Sequence, residues 1–135
     1  MSFLKEIKHR DEKLRELARG QPCMVAKVGS PLISWIHPSD TCVWAHSNLY
    51  EHGKAARTKA HDCFGFIACY GCHCFIDQGK GIEREERRNL QRLAMAATRR
   101  YLMVMNMIAG ATPECVHDDA LWLDRWQRGE IWVPA

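Results

Sequence analysis

The sequence lacks an apolar run long enough to cross a membrane, since none approaches the roughly 18–20 residues that a bilayer requires. The segment from Met1 to Arg19 mixes acidic and basic side chains and has no apolar core of the kind found in secretory signals. Internal repeats and low-complexity stretches are also missing. The 135 residues therefore predict one compact domain, cytoplasmic and without a membrane partner.

The chain also lacks a strong net charge, at +3, but its charges are unevenly distributed. Residues 1–100 contain 17 basic and 11 acidic side chains, whereas residues 101–135 contain 2 and 5. A basic body followed by an acidic tail is compatible with a polyanionic ligand on one surface.

A disulfide framework is not expected, because seven cysteines are an odd number and the cytoplasm is reducing. Metal ligation is the leading explanation. Cys69 and Cys72, separated by two residues, form half of a tetrahedral zinc site. The other ligands must come from elsewhere, and the upstream candidates are Cys23, Cys42 and His37. Cys63 and Cys74 are further possibilities.

With His73, the same motif also matches the attachment site of a c-type haem. Haem attachment requires an oxidising compartment, for which the chain carries no export signal, so this interpretation ranks below zinc.

Apolar periodicity and chain breakers predict an α+β fold with four parts. These are an N-terminal helix over residues 1–20 started by Ser2, a core over 21–82, a long helix over 83–109 and a Trp-rich extension over 110–135. Within the core, short strands at 23–28, 32–36 and 42–45 predict a hairpin, residues 47–62 a long loop, and residues 69–77 a metal-binding turn that continues as a helix.

The long helix has apolar residues at helical spacing, which predicts its buried face. That face comprises Leu90, Leu93, Ala94, Ala97, Tyr101, Val104, Met105 and Ile108. Its Met-rich end is apolar nearly all round, which makes a homodimer through this helix plausible. Basic residues predict a charged face on the same helix: Arg84, Arg87, Arg88, Arg92, Arg99 and Arg100.

A second chemical signal is His46, which ends an apolar segment just before the polar loop. His73 and the pair His61-Asp62 are further metal-binding or acid–base side chains that could join His46 in one site. Two histidines with a carboxylate around a metal ion can cleave a phosphodiester. The remaining histidines have no partner pattern and are expected to be exposed: His9, His52 and His117.

An ordered series of motifs between Leu14 and Ile108 resembles the small phage and prophage nucleases of the YbcO-like group, within the HNH (His-Me finger) endonucleases. The series runs Cys23, then Thr41-x-Val43-x-Ala45-His46-Ser47-Asn48, Gly53-Lys54, Lys59-Ala60-His61-Asp62 and Ala68-Cys69-x-x-Cys72-His73-x-x-Ile76-Asp77. The resemblance implies a ββα-metal, treble-clef-like core supported by zinc.

The resemblance also implies roles in metal-dependent DNA cleavage. His46 would be the general base, oriented by Asp62 or by Asn48. His73 would bind a catalytic Mg²⁺ or Mn²⁺, and Asp77 lies one helical turn later as a further ligand or support.

Two departures from the family pattern affect the metal sites. Many HNH enzymes have an Asp before the hairpin histidine, where this chain has Ala45, so the catalytic metal must rely on Asp62, His61 or Asp77. Relatives also have a further Cys in the zinc site near the position of Ser34. Either His37 or Cys42 substitutes for it, or the structural zinc is lost.

The loop adds cations that can meet DNA phosphates: Lys54, Arg57 and Lys59. The sequence thus predicts a metal-dependent DNA endonuclease of HNH type, serving phage DNA recombination or processing. The alternative is a zinc-stabilised nucleic-acid-binding module without catalytic activity.

Overall fold

The computed structural model describes residues 8–29, 33, 35–54, 58–79 and 81–135. They form a small mixed α+β domain in which a two-stranded antiparallel sheet is packed among helices. The elements are α1 (Glu12–Glu16), α2 (Met24–Val28), β1 (Val43–His46), β2 (Gly65–Ala68), α3 (Tyr70–Gln78), α4 (Arg84–Val104), α5 (Pro113–Val116) and α6 (Asp119–Gln127). Single 3₁₀ turns occur at Ser39–Thr41 and Tyr50–His52. No helix in these described ranges combines the length and the apolar character needed to cross a bilayer.

The α+β class is confirmed, but the predicted hairpin within residues 23–46 is wrong. The segment predicted as its first strand is helix α2, which packs against α4 and β2. β1 pairs instead with β2, in a register that places His46 opposite Gly65. A short apolar run such as residues 23–28 suits a buried helix as well as a strand, so periodicity alone could not separate the two. Residues 32 and 34, in the predicted middle strand, lie outside the described residues.

Strand β2 is buried along its whole length, as its apolar composition requires. Helix α4 covers it, and the Thr98 hydroxyl accepts a hydrogen bond of 3.2 Å from the Ile67 N–H. The position of β2 also fixes where α3 begins, because α3 follows it after one residue.

The N-terminal helix is shorter than predicted. It begins at Glu12, where the Asp11 side chain accepts a hydrogen bond from the Leu14 N–H, and residues 8–11 are not helical. An Asp side chain that accepts a hydrogen bond from a backbone N–H of the first helical turn favours the start of a helix at that position. The predicted start at Ser2 lies outside the described residues.

The buried face of α4 differs from the predicted one. Leu93, Val104 and Met105 are exposed. The buried side includes three polar residues, Gln91, Thr98 and Arg99, together with Leu90, Ala94, Met95 and Leu102. Arg99 therefore does not belong to a basic surface. Val104 and Met105 at the end of α4 are exposed, and the homodimer through this helix stays a prediction.

The C-terminal extension folds back onto the domain core. The Trp122 indole donates a 2.8 Å hydrogen bond to the Cys63 carbonyl, and the Arg99 guanidinium lies 5.0 Å from the centre of the Trp122 ring. Ala109 pairs with Trp132 in an isolated antiparallel bridge. These contacts fix the start of α6 beside the loop that follows β1.

The prediction that His9 is exposed is wrong, because its side chain is only 10% exposed. His52 is buried, so the prediction that it is exposed is also wrong. Its Nε2 contacts Asp119 at 2.7 Å, and its Nδ1 lies 2.6 Å from the Ser47 hydroxyl. The hydrogen bond from His52 and the charge of Arg99 outweigh burial and lower the pKa of Asp119 to about 2. Asp119 also pairs with Arg99 at 2.9 Å, so one carboxylate connects α6 with α4 and the loop.

Replacing Asp119 with Asn is expected to reduce the free energy of unfolding by about 1–2 kcal/mol, because the buried Arg99 cation loses its charge partner. The loss of unfolding free energy should be smaller than for a fully buried ion pair, since the Asp119 side chain is 49% exposed. Urea unfolding at neutral pH measures it. Asp124→Asn is the matched control, because Asp124 pairs with the exposed Arg128 and should cost at most about 0.5 kcal/mol. Equal losses in both variants would refute the role assigned to Asp119.

Candidate active site and metal centre

Three cysteines and one histidine meet beside the start of α3. The ligand atoms of Cys23, His37, Cys69 and Cys72 all lie within 4.8 Å of one another. Cys23 and Cys69 are the residues that precede α2 and α3, and Cys72 lies in the first turn of α3. The His37 Nδ1 lies 3.3 Å from the Cys69 sulfur and 3.2 Å from the Cys72 sulfur. A Cys₃His set of this kind can hold a structural zinc ion.

The ionisation of the cluster suits a cation. A hydrogen bond from Cys72 outweighs burial and lowers the pKa of Cys23 to about 5. The same contact, together with burial, raises the pKa of Cys72, because a second thiolate beside the first is unfavourable. Three thiolates at this distance require a positive charge between them, which a zinc ion would supply.

The structure separates the candidate zinc ligands by position. Cys23 and His37 join the CxxC pair, whereas Cys42 is outside the group, with its sulfur 3.9 Å from the Pro38 carbonyl. Burial raises the pKa of Cys42 to about 12, so it stays a neutral thiol. Ser34 lies outside the described residues. Cys69 and Cys72 are fully buried in this cluster, which disfavours their attachment to a porphyrin.

A cleft of about 520 Å³ lies next to the cluster. His46 reaches it from the end of β1, and His73 reaches it from α3, one residue after Cys72 of the cluster. The rest of its lining is polar or basic for the most part: Arg15, Glu16, Arg19, Val43, Trp44, Ser47, Asn48, Lys54, Lys59 and Asp77. The two histidines predicted from the sequence therefore face one cavity.

His46 is paired with Asp62. The His46 Nε2 lies 2.8 Å from the Asp62 Oδ1. An ionised carboxylate only accepts hydrogen bonds, so Nε2 carries the proton and donates it. The Nδ1 of the same ring is then left with a lone pair, and the side chain is 16% exposed at the cleft. This is the arrangement of a general base held in one tautomer by a carboxylate.

Asp62 is itself held from several directions. Its Oδ2 accepts a 2.6 Å hydrogen bond from the Asp11 N–H and lies 3.1 Å from the Arg15 Nε, and its Oδ1 lies 3.4 Å from an Arg10 nitrogen. Burial raises the pKa of Asp62, but the hydrogen bonds from His46 and Asp11 and the nearby charges outweigh it, so the net pKa is lowered. Asp62 is consequently ionised at neutral pH and orients His46.

His73 is paired with Asp77 one turn later on α3. Their Nε2 and Oδ2 atoms are 3.3 Å apart, and His73 is 35% exposed. The Asn48 side-chain amide donates a 3.0 Å hydrogen bond to the other Asp77 oxygen. Asn48 therefore contacts Asp77, whereas the hydrogen-bond partner of His46 is Asp62.

His61 is not brought to this cleft. It is buried, its Nδ1 accepts a 2.9 Å hydrogen bond from the His9 N–H, and it lines a different cavity. Asp62 is occupied by His46 and two arginines. Among the described residues, no third His, Cys, Asp or Glu brings a ligand atom within 4.8 Å of both His73 and Asp77. The predicted catalytic ligands thus reduce to these two side chains.

Two of the three predicted DNA-binding residues lie at the cleft. Lys54 and Lys59 line the cleft, whereas Arg57 lies outside the described residues. Arg15 and Arg19 also line it, and they were not predicted. Arg15 lies on α1 and Arg19 in the turn that follows it, and the acidic residues of the same segment, Glu12 and Glu16, hid the signal.

Comparisons with known proteins found no match to any family model, curated protein or solved structure.

Replacing Asp62 with Asn is expected to reduce any His46-dependent activity about a hundredfold or more. The amide can present its NH₂ to Nε2, which favours the opposite tautomer and removes the lone pair from Nδ1. Asp40→Asn, an exposed change, is the control. The measurement is the initial cleavage rate, with circular dichroism to verify folding. An undiminished rate in a folded Asp62→Asn variant would show that Asp62 does not orient the base.

Proposed function

We propose that the protein is a metal-dependent DNA endonuclease of the HNH type. One observation carries the proposal: His46, which is hydrogen-bonded to Asp62, lines the same open cleft as the His73–Asp77 pair. The chain order β1, β2, α3 agrees with a ββα-metal core, and the Cys₃His cluster beside the start of α3 supports its zinc-stabilised form. The sequence resemblance to phage nucleases points to recombination or processing of phage DNA.

His46 is the residue that activates water in this proposal. Its Nδ1 takes a proton from a water molecule in the cleft, and Asp62 stabilises the imidazolium that results. The hydroxide attacks the phosphorus and displaces the 3′ oxygen, which leaves a 5′ phosphate. The surrounding cations Arg15, Lys54 and Lys59 favour the phosphate, because each lines the cleft.

His73 and Asp77 would hold the catalytic divalent cation. An imidazole and a carboxylate with adjacent ligand atoms in an open cleft fit an ion that keeps several waters and binds substrate phosphate, as Mg²⁺ does. When bound, the ion would neutralise charge on the phosphate and on the leaving oxygen. Asn48 fixes Asp77 so that one carboxylate oxygen stays directed towards His73.

Cleavage of supercoiled plasmid tests the proposal. Zinc-loaded protein is incubated in buffer with no added metal, with Mg²⁺ and with Mn²⁺. Chelators are avoided because they would also remove the zinc. Nicking or linearisation that depends on Mg²⁺ or Mn²⁺ is expected. DNA binding without cleavage in every metal would overturn the proposal and favour the zinc-stabilised binding module.

A further inference from the structure

A second and larger cavity, of about 930 Å³, lies beside the active-site cleft. Lys54 lines both cavities, so the two adjoin at this side chain. Lys54 makes no ion pair with any other residue that the structure describes. A strand whose scissile phosphate lies at His46 and His73 would therefore pass this lysine and continue into the second cavity. The volume is within the ~300–1,000 Å³ of ordinary ligand sites.

The second cavity combines cations with an open aromatic face. Lys8 and Arg92 line it together with Lys54, and Tyr50 at its edge is 85% exposed. A tyrosine so exposed packs little of its ring against the protein. The ring is thus available to an incoming planar group, and stacking on such a ring is how proteins bind unpaired bases.

The acidic residues of the cavity are neutralised by partners within the fold. Glu51 accepts from Arg92 at 2.9 Å, and Asp119 pairs with Arg99 at 2.9 Å and with His52 at 2.7 Å. Neither carboxylate presents an uncompensated charge to a polyanion. The local charge therefore does not exclude a nucleic acid strand.

Gly53 shapes the wall between the two regions. Its φ of 91° is in the left-handed region, and a Cβ there would lie 2.7 Å from the Lys8 Nζ and 3.1 Å from the His61 ring. Lys8 donates a 3.0 Å hydrogen bond to the Gly53 carbonyl. The turn that carries Tyr50 is thereby fastened to the N-terminal segment.

We infer that the second cavity binds unpaired nucleotides adjacent to the scissile phosphate, with a base stacked on Tyr50 and the backbone on Lys54. This inference rests on the proposed function and adds a substrate class to it: DNA with a single-stranded segment. Bases inside an intact duplex are stacked on each other and have no face to offer Tyr50, whereas an unpaired base has one.

Equilibrium binding of fluorescent oligonucleotides tests the inference. The protein is the zinc-loaded His46→Ala variant, so that no substrate is cut, and the probes are a single strand, a duplex and a duplex with a single-stranded flap. Adding Tyr50→Ala should weaken binding of the single strand and the flap by about five- to tenfold, and should change duplex binding less than about twofold. Adding Tyr50→Phe instead should leave the affinity for all three probes unchanged, because the aromatic ring is kept. Tyr70→Ala is the matched control, since Tyr70 is 69% exposed and lines neither cavity.

The outcomes separate this inference from the proposed function. A Tyr50→Ala effect that is equal on duplex and single strand, or no effect at all, overturns the inference even when the wild-type protein cleaves DNA. A selective Tyr50→Ala loss in a protein that cleaves no DNA supports the binding site while overturning the endonuclease.

Discussion

Replacing His46 with Ala is expected to reduce the rate of metal-dependent DNA cleavage by about 10²- to 10⁴-fold, the usual contribution of a general base. The variant removes the ring whose Nδ1 accepts the proton of the attacking water in the proposed mechanism. Its effect should fall on the chemical step. DNA binding should change little, because the cations of the cleft remain.

The measurement is single-turnover cleavage of a defined oligonucleotide with saturating Mg²⁺ or Mn²⁺. His117→Ala is the control, since His117 is exposed and lies outside the cleft. Zinc content and the circular dichroism spectrum should match those of the wild type. Cleavage that persists undiminished in a folded His46→Ala protein would eliminate the proposed base.

Replacing Cys72 with Ser is expected to abolish zinc binding and to unfold most of the protein at 37 °C. Structural zinc contributes about 10–16 kcal/mol of apparent binding free energy in small zinc domains at pH 7, and that energy is coupled to folding. Here the cluster joins the starts of α2 and α3 to His37. Its loss would release the helix that carries His73.

Elemental analysis and thermal unfolding check this expectation together. Cys74→Ser and Cys42→Ala are the controls. Cys74 lies on the same helix as Cys72, and Cys42 is buried, but neither residue belongs to the cluster. Both controls should keep one zinc ion per chain. A Cys72→Ser protein with a full complement of zinc, or with an unchanged melting temperature, would contradict the assignment.

The sequence predicted the parts of the site that local spacing determines. The CxxC pair indicated zinc because two intervening residues bring two sulfurs to one point, and Cys69 and Cys72 do lie in one cluster. A helix after the CxxC pair was also predicted, and α4 begins within one residue of its predicted start, but it ends at Val104 and not at the predicted residue 109. His46 and His73 came from an ordered series of motifs, and both line one cleft.

The remaining features depend on contacts between distant residues, which spacing cannot reveal. The pairing of β1 with β2 crosses a long loop, and the choice of His37 over Cys42 depends on how the segment between α2 and β1 folds. His52 looked like a surface residue because its partner Asp119 is 67 positions away. His61 and Asp62 are neighbours in the chain, but the His61 side chain lines the second cavity, whereas that of Asp62 contacts His46.

A crystal structure of the zinc-loaded protein soaked in Mn²⁺, with anomalous diffraction recorded for both metals, tests the central claim most directly. The account predicts zinc among Cys23, His37, Cys69 and Cys72, and a separate manganese ion bound by His73 and Asp77 in the cleft that His46 faces. Manganese bound away from these two side chains, or a cleft from which the His46 ring is turned away, would contradict it.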